Sequence, residues 1–143
     1  MAMPAISSDG VQVGHTDSYP NGVSILMESQ LATVLPDLGL EGVHFELSLH
    51  EFCPVLRPVC GERLSVEGVG EVSAIAAGLL VSVLSLEYVL GGWASSDGVI
   101  NFSRHLMARE TRRLKLRLIS KLIAEIDSEA HEVRQAVRDA VSV

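Results

Sequence analysis

Residues 114–141 read LKLRLISKLIAEIDSEAHEVRQAVRDAV, and this stretch decides how the rest of the chain is arranged. It contains neither Gly nor Pro and is rich in Leu, Ala, Arg, Lys and Glu, which favour helix. Apolar residues recur in it at alternating steps of three and four, which is the a/d spacing of a heptad repeat. We call these eight residues the heptad seam: Leu116, Ile119, Ile123, Ile126, Ala130, Val133, Val137 and Ala140.

The heptad seam is consistent with two arrangements, and both begin from a long amphipathic helix over about 103–141. In the first, the seam forms a coiled coil with a second copy or a partner helix; in the second, it packs on the chain's own domain. The seam spans just over three heptads, which is short for an independent coiled coil. One continuous helix would be about 60 Å long, whereas a domain of this size has a radius of gyration of about 15 Å. We therefore expect another chain to cover part of the helix.

Two details of this stretch bear on that choice. Glu129 and Arg134 occupy a g position and the following e position, where an ion pair between two chains is expected. Either Asp127 or Ser128 could cap the start of a second helix. The sequence thus leaves open whether 103–141 is one helix or two.

Charge is divided unevenly along the chain. Residues 1–103 carry 12 acidic and 2 basic residues, net −10, and residues 104–143 carry 6 acidic and 9 basic residues, net +3, within a total of −7. Such polarity allows the basic part to attract an acidic partner, phosphate or anionic lipid, or to complement the chain's own acidic region. The predicted anion-binding residues form one basic stretch: Arg104, Arg109, Arg112, Arg113, Lys115, Arg117 and Lys121.

Nucleic acid is a less favoured partner for this basic stretch. The chain has a pI of about 5.1, whereas nucleic-acid-binding domains are usually strongly basic. No aromatic residue lies between Arg104 and Lys121, so stacking on single-stranded bases has no support.

Length and composition predict one intracellular domain. A chain of 143 residues that is 48% hydrophobic can bury a core, and with 4% aromatic residues that core must be aliphatic. The N-terminus lacks the basic and apolar regions of a secretory signal. Two cysteines without such a signal indicate reduced thiols, so we expect a cytoplasmic or otherwise intracellular protein.

The first half predicts short elements. Residues 22–35 favour a short helix that ends before Pro36. Residues 43–49 alternate apolar and polar side chains and form the clearest strand, and residues 64–67 alternate again as its antiparallel return strand. Between them, residues 53–60 contain two prolines and are expected to form a loop or a sheet edge.

The middle of the chain is its most apolar part. Residues 72–86 contain no charge and predict a buried helix over about 71–90 that is apolar on nearly all sides. Gly91 and Gly92 are expected to end this helix. The alternative is a single membrane span over 72–90, with the basic stretch cytoplasmic by the positive-inside rule. Such a span would contain Glu87 and several Ser and Gly residues, which favours the buried helix.

Motifs for chemistry are few. Residues 68–73 have the context of a dinucleotide-binding turn, but Ser73 replaces the third glycine and Glu71 places a negative charge where phosphate should lie. A second group has zinc-ligand atoms but matches no zinc motif in its spacing: His44, Glu46, His50, Cys53 and Cys60. No hydrolase, metalloprotease or P-loop motif is present. We therefore predict no catalytic residue, no metal and no cofactor.

Together these patterns predict a single α+β domain over 1–143, with strands and loops mainly in 1–70 and helices mainly in 71–143. A small antiparallel sheet, the buried helix and the long C-terminal helix make up this fold. The expected function is non-enzymatic: a self-associating interaction or assembly protein whose heptad helix binds itself or another protein, and whose basic stretch contacts an acidic partner. The alternatives are a single-pass membrane protein and a nucleic-acid-binding regulator.

Overall fold

The computed structural model describes residues 19–50, 53–59, 61–95 and 102–141. These residues form five α-helices and two antiparallel sheets of two strands each, which confirms the predicted α+β class. A short 3-10 turn, Ile126–Ser128, separates the last two helices. In chain order the elements are α1 (Tyr19–Ser29), α2 (Leu31–Asp37), β1 (Phe45–His50), β2 (Cys53–Pro58), β3 (Leu64–Val66), β4 (Gly70–Val72), α3 (Ala74–Ser95), α4 (Phe102–Glu125) and α5 (His131–Ala140).

Helix α3 is the centre of the fold. It contacts α1, α2, β2 and α4, and every position from Ala76 to Leu86 except Leu84 is buried. Because neighbours surround this helix, apolar residues are needed on nearly every side. The predicted buried helix is therefore confirmed, and its sequence composition follows from its position.

Helix α3 is longer than predicted, since it runs through the glycine pair to Ser95. Neither Gly91 nor Gly92 adopts the positive φ that ends a helix at a glycine C-cap. Residues Ala74–Gly92 have the length and hydropathy of a membrane span, and 61% of that window is buried inside the fold. Because core helices and membrane spans share this composition, the membrane alternative stays a prediction.

Strand β2 lies directly on α3 at Gly78. The backbone N–H of Leu56 donates to Ser82 Oγ at 2.8 Å, and Ser82 Oγ donates to the carbonyl of Gly78 at 2.7 Å. A Cβ atom at position 78 would collide with the carbonyl oxygen of Leu56. The missing side chain of Gly78 and the hydroxyl of Ser82 therefore set the spacing between strand and helix.

Replacing Ser82 and Ser85 with Ala is expected to have opposite effects. Both residues are fully buried, but Ser85 Oγ has no hydrogen-bond partner among the described residues. Ser82→Ala leaves the N–H of Leu56 unpaired and should lower the free energy of unfolding by about 1–3 kcal/mol. Ser85→Ala removes an unpaired buried hydroxyl and should be neutral or stabilise by about 1 kcal/mol. Urea unfolding measures both, and equal losses would contradict the assignment.

The strands do not pair as the sequence predicts. Residues 53–58 form β2, which pairs with β1 from Phe45↔Pro58 to His50↔Cys53. The strand predicted over 64–67 is confirmed as β3, but its predicted pairing with β1 is wrong, because β3 pairs with the adjacent β4. Gly68 and Gly70 have φ of +83° and +119°, which allows this tight hairpin. The prolines of β2 are tolerated because every strand of a two-stranded sheet is an edge.

The predicted N-terminal helix is two helices that pack on α3. Helix α1 ends at Ser29 and α2 begins at Leu31, and Pro36 lies inside α2 instead of following it. Val23, Met27 and Val34 are at most 1% exposed, which places this pair of helices in the main core.

The C-terminal stretch is two helices joined by a sharp turn. Helix α4 ends at Glu125, and the backbone is extended at Glu129 and Ala130 before α5 begins. The break lies near Asp127 and Ser128, as the sequence allowed, but neither residue caps α5, whose N-cap residue is Ala130. The chain thus accommodates its long helical stretch by interrupting it, and α5 then contacts β4.

Candidate interaction surface

The heptad seam is mainly internal packing. Six of its eight residues belong to the hydrophobic core or pack against it: Ile119, Ile123, Ile126, Val133, Val137 and Ala140. Ile126 and Val137 are 0% and 1% exposed, whereas Leu116 is 64% exposed and Ala130 is also exposed. This burial favours the arrangement in which the seam packs on the chain's own domain.

Glu129 forms its ion pair within the chain. Arg63 donates two hydrogen bonds to the Glu129 carboxylate, at 2.8 and 3.2 Å, and a third to the carbonyl of Glu71 at 2.9 Å. Arg134 instead donates to the carbonyl of Asp127 at 3.4 Å. Glu129 therefore joins the β3–β4 hairpin to the turn before α5 within one chain, and the interchain pair of Glu129 with Arg134 stays a prediction.

This ion pair makes stability depend on pH. The hydrogen bonds from Arg63 lower the pKa of Glu129 below its ordinary value of 4.5. Because the folded pKa is the lower one, the pair stabilises the fold above pH 4.5 and this stabilisation is lost as pH falls through the folded pKa. Glu129→Gln should therefore lower the urea midpoint at neutral pH, and its difference from the wild type should shrink in acid. Glu132→Gln, at an exposed position of α5, is the control; a difference that is constant with pH would contradict the prediction.

The outward side of α4 combines arginine with leucine. The exposed residues of α4 from 106 to 125 form a surface that we call the arginine face: Leu106, Arg109, Arg112, Arg113, Leu116, Arg117, Ser120 and Ala124. None of these eight residues is acidic. The face is about 27 Å long at 1.5 Å per residue. Leu106 and Leu116, at 38% and 64% exposure, add apolar contact area to the positive charge.

Four cations recur along α4 at intervals of four residues: Arg109, Arg113, Arg117 and Lys121. Residues four apart are neighbours on a helix surface, so like charges repel by about 0.2–0.5 kcal/mol per pair. Glu110 offsets part of this repulsion by pairing with Arg113 at 3.3 Å. An anionic group bound along the row would relieve more of it.

The basic stretch predicted from the sequence is not one surface. Four of its seven members lie on the arginine face. Lys115 lies on another side of α4, where its Nζ is 3.4 Å from Glu87 of α3, so it links the two helices. Lys121 is half-buried. The side chain of Arg104 lies outside the part of the chain that the structure describes.

A groove of about 540 Å³ opens at the C-terminal end of the arginine face. Strand β2, the start of α3 and the end of α4 form its walls. Most of its lining is apolar: Val55, Ile75, Leu79 and Ala124. Arg57 and Lys121 add positive charge, and Glu125 adds one carboxylate. Sequence patterns give no sign of this groove, because Ile75 and Leu79 lie in a uniformly apolar run and Arg57 lies between prolines.

A second groove of about 540 Å³ lies between α2 and the end of α3 and is acidic in character. Tyr88 donates its hydroxyl to Asp37 Oδ2 at 3.1 Å. This hydrogen bond raises the pKa of the Tyr88 phenol above its ordinary value of 10.0. Glu87 also lines the groove. The two grooves therefore differ in charge, and only the first adjoins the arginine face.

The structure does not support two weaker candidate sites from the sequence, the dinucleotide-binding turn and the group of zinc-ligand atoms. Residues 68–73 are not a strand-to-helix turn, because Gly68 lies in the hairpin turn and Gly70 begins β4. A dinucleotide-binding turn there is therefore wrong. Within the described ranges, no three His, Cys, Asp or Glu side chains lie close enough to hold a metal ion. Of the predicted group, Cys53 is fully buried, and Cys60 lies outside those ranges.

No protein-family model, curated protein or solved structure matches this chain.

Proposed function

We propose that this protein is an interaction module that binds an acidic protein partner along the arginine face of α4. The observation that carries the proposal is the composition of that face, which has four exposed arginines, two exposed leucines and no exposed acid. The rest of the chain is strongly acidic, so this surface differs from it in the sign of its charge. Guanidinium groups bind carboxylates through paired hydrogen bonds, which gives such a surface its specificity.

A protein partner uses both kinds of residue on this face. A nucleic acid backbone would engage the arginines but leave Leu106 and Leu116 in water. The net charge of −7 also repels a long polyanion more strongly than a short acidic segment. An amphipathic acidic helix of about 16 residues would span the distance from Arg109 to Ala124 and could offer carboxylates and apolar side chains together.

The test uses a defined acidic probe. A fluorescein-labelled peptide of about 16 residues, built of Glu with Leu at helical spacing, is titrated with the protein in fluorescence polarisation. The double substitution Arg109→Glu and Arg113→Glu reverses two charges on neighbouring turns of the arginine face. We expect it to weaken binding at least about tenfold, which corresponds to about 1.4 kcal/mol. Binding to the wild type should also weaken as salt increases.

The matched control reverses two arginines with the same spacing on α5, Arg134→Glu and Arg138→Glu, so that net charge changes equally. This control should bind the peptide nearly as the wild type does. Equal losses in both double variants would show that net charge alone governs binding and would overturn the proposal. Tighter binding of the wild type to duplex DNA, or to vesicles containing phosphatidylserine, would favour the nucleic-acid or membrane alternative instead.

A second copy of the chain is one candidate partner, because the chain exposes acidic residues as well. Among the described residues, the loops and hairpins of the first half expose five carboxylates: Glu41, Glu46, Glu62, Glu67 and Glu71. In this form of self-association, the arginine face of one copy would contact the acidic side of another copy. The heptad seams of the two copies would not contact each other. Light scattering should detect oligomers at low salt that dissociate at high salt and are absent in the Arg109→Glu, Arg113→Glu variant.

A further inference from the structure

We propose that the groove beside Ala124 receives a bulky apolar side chain of the acidic partner, so that the recognised segment carries carboxylates along its length and an apolar anchor at one end. This inference rests on the proposed function and specifies the chemistry of the partner.

The groove has the shape and lining of an anchor site. Leu79 and Val55 are 5% and 7% exposed, whereas Ile75 on the same lining is 51% exposed. Ala124 is small enough to leave the opening wide. A volume of about 540 Å³ lies within the range of 300–1,000 Å³ that is typical of ligand pockets. A large aliphatic or aromatic side chain placed there would cover Ile75.

The position of the groove connects it to the arginine face. Ala124 belongs to both surfaces, and the row of four cations on α4 ends at Lys121 in the groove wall. A segment whose carboxylates follow this row would therefore reach the groove about 18 Å from Arg109. Arg57, on the β2 side, places an exposed guanidinium at the same end.

The apolar lining of the groove favours an apolar residue of the partner at this end. Glu125 lines the groove one residue beyond Ala124 and offsets part of the positive charge of Arg57 and Lys121. An aliphatic or aromatic group placed in the groove would contact Ile75 and Leu79. The cations of α4 thus bind the carboxylates of the partner segment, and the groove binds the apolar residue at its end.

The test compares two pairs of labelled acidic peptides that differ at a single residue. In each pair the terminal position is Phe in one peptide and Ala in the other, and the pairs place this residue at the N-terminal or the C-terminal end. For one of the two ends, the wild type should bind the Phe peptide at least about tenfold more tightly than the Ala peptide. Ile75→Ser should reduce this preference to less than about twofold, because the wall that contacts Phe is lost.

Controls separate this inference from the proposed function. Ala124→Gln narrows the groove from the opposite wall and should also remove the preference, so the result does not depend on one variant. Ile25→Ser, at a 67% exposed position of α1, should leave it unchanged. The Arg109→Glu, Arg113→Glu variant should weaken both peptides and keep their ratio.

The outcomes are distinct. A preference for Phe that disappears in both groove variants supports the anchor site. Equal binding of Phe and Ala peptides to the wild type, at either end, overturns the anchor site and leaves the arginine face as the binding surface. Failure of every peptide to bind the wild type at low salt overturns both proposals.

Discussion

Gly78→Ala is expected to destabilise the protein by about 3 kcal/mol, because the new methyl group has no room. A Cβ at position 78 would collide with the carbonyl oxygen of Leu56 and lie 3.1 Å from Pro58 Cδ and 3.3 Å from Arg57 Cα. Most of these atoms belong to the backbone of β2, so no side-chain rotation can relieve the contact. The strand must move away from α3 and weaken the hydrogen bond from Leu56 to Ser82. Urea unfolding measures the loss.

Gly91→Ala is the matched control for this prediction. Gly91 lies in the same helix and is exposed, and a Cβ added to it would meet no atom within 4 Å. Alanine there should stabilise the helix by up to about 1 kcal/mol, since glycine is the poorer helix former. If Gly78→Ala were neutral or stabilising as well, the close approach of β2 to α3 would be wrong.

Ile126→Asp is expected to unfold the protein. Ile126 is 0% exposed and lies in the hydrophobic core. Placing a carboxylate there should cost more than about 4 kcal/mol, which is a large part of the roughly 5–15 kcal/mol that typically holds a domain folded. Circular dichroism should show loss of helix, and proteolysis should become rapid.

Leu116→Asp tests the first residue of the same heptad seam. Leu116 is 64% exposed, so its replacement should change the free energy of unfolding by about 0.5 kcal/mol or less. It should instead weaken binding of the acidic peptide, because it adds a negative charge to the arginine face. A well-folded Ile126→Asp protein that changes only in oligomeric state would show that the seam is an interface between chains.

Composition predicts the centre of this fold well. Most of the run from 72 to 86, which has no charge, is buried because other elements enclose α3. Alternation over 43–49 correctly indicates β1. Composition does not predict which strands pair with each other. Residues 64–66 alternate as a return strand for β1 should, but the turn at Gly68 lets them pair with 70–72, and the shorter loop is favoured by entropy.

Tertiary contacts explain the errors in the C-terminal half. The a/d spacing continues without interruption across the turn at 126–130, so periodicity alone cannot show where α4 ends. The turn is held from outside the stretch, by Arg63 on Glu129. The excess length that indicated a covering partner is accommodated by this turn, which returns Val137 to the core.

The candidate site was only partly accessible from the sequence. Clustering of basic residues located α4 as the charged element, and the spacing of four between Arg109, Arg113, Arg117 and Lys121 would have shown which cations share a side. The groove could not be predicted in this way, because its lining residues come from β2, α3 and α4. Residues so far apart in the chain leave no local pattern from which such a site can be recognised.

During synthesis on the ribosome, the β3–β4 hairpin emerges well before Glu129, whose carboxylate binds Arg63 beside the hairpin. Arg63 and Glu129 are 66 positions apart, and α3 emerges before α4, which covers one of its sides. One side of α3, the most apolar of the described helices, is therefore uncovered until α4 has been made. Exposed apolar surface of this kind promotes aggregation, so a nascent chain arrested before α4 is expected to bind chaperones through α3.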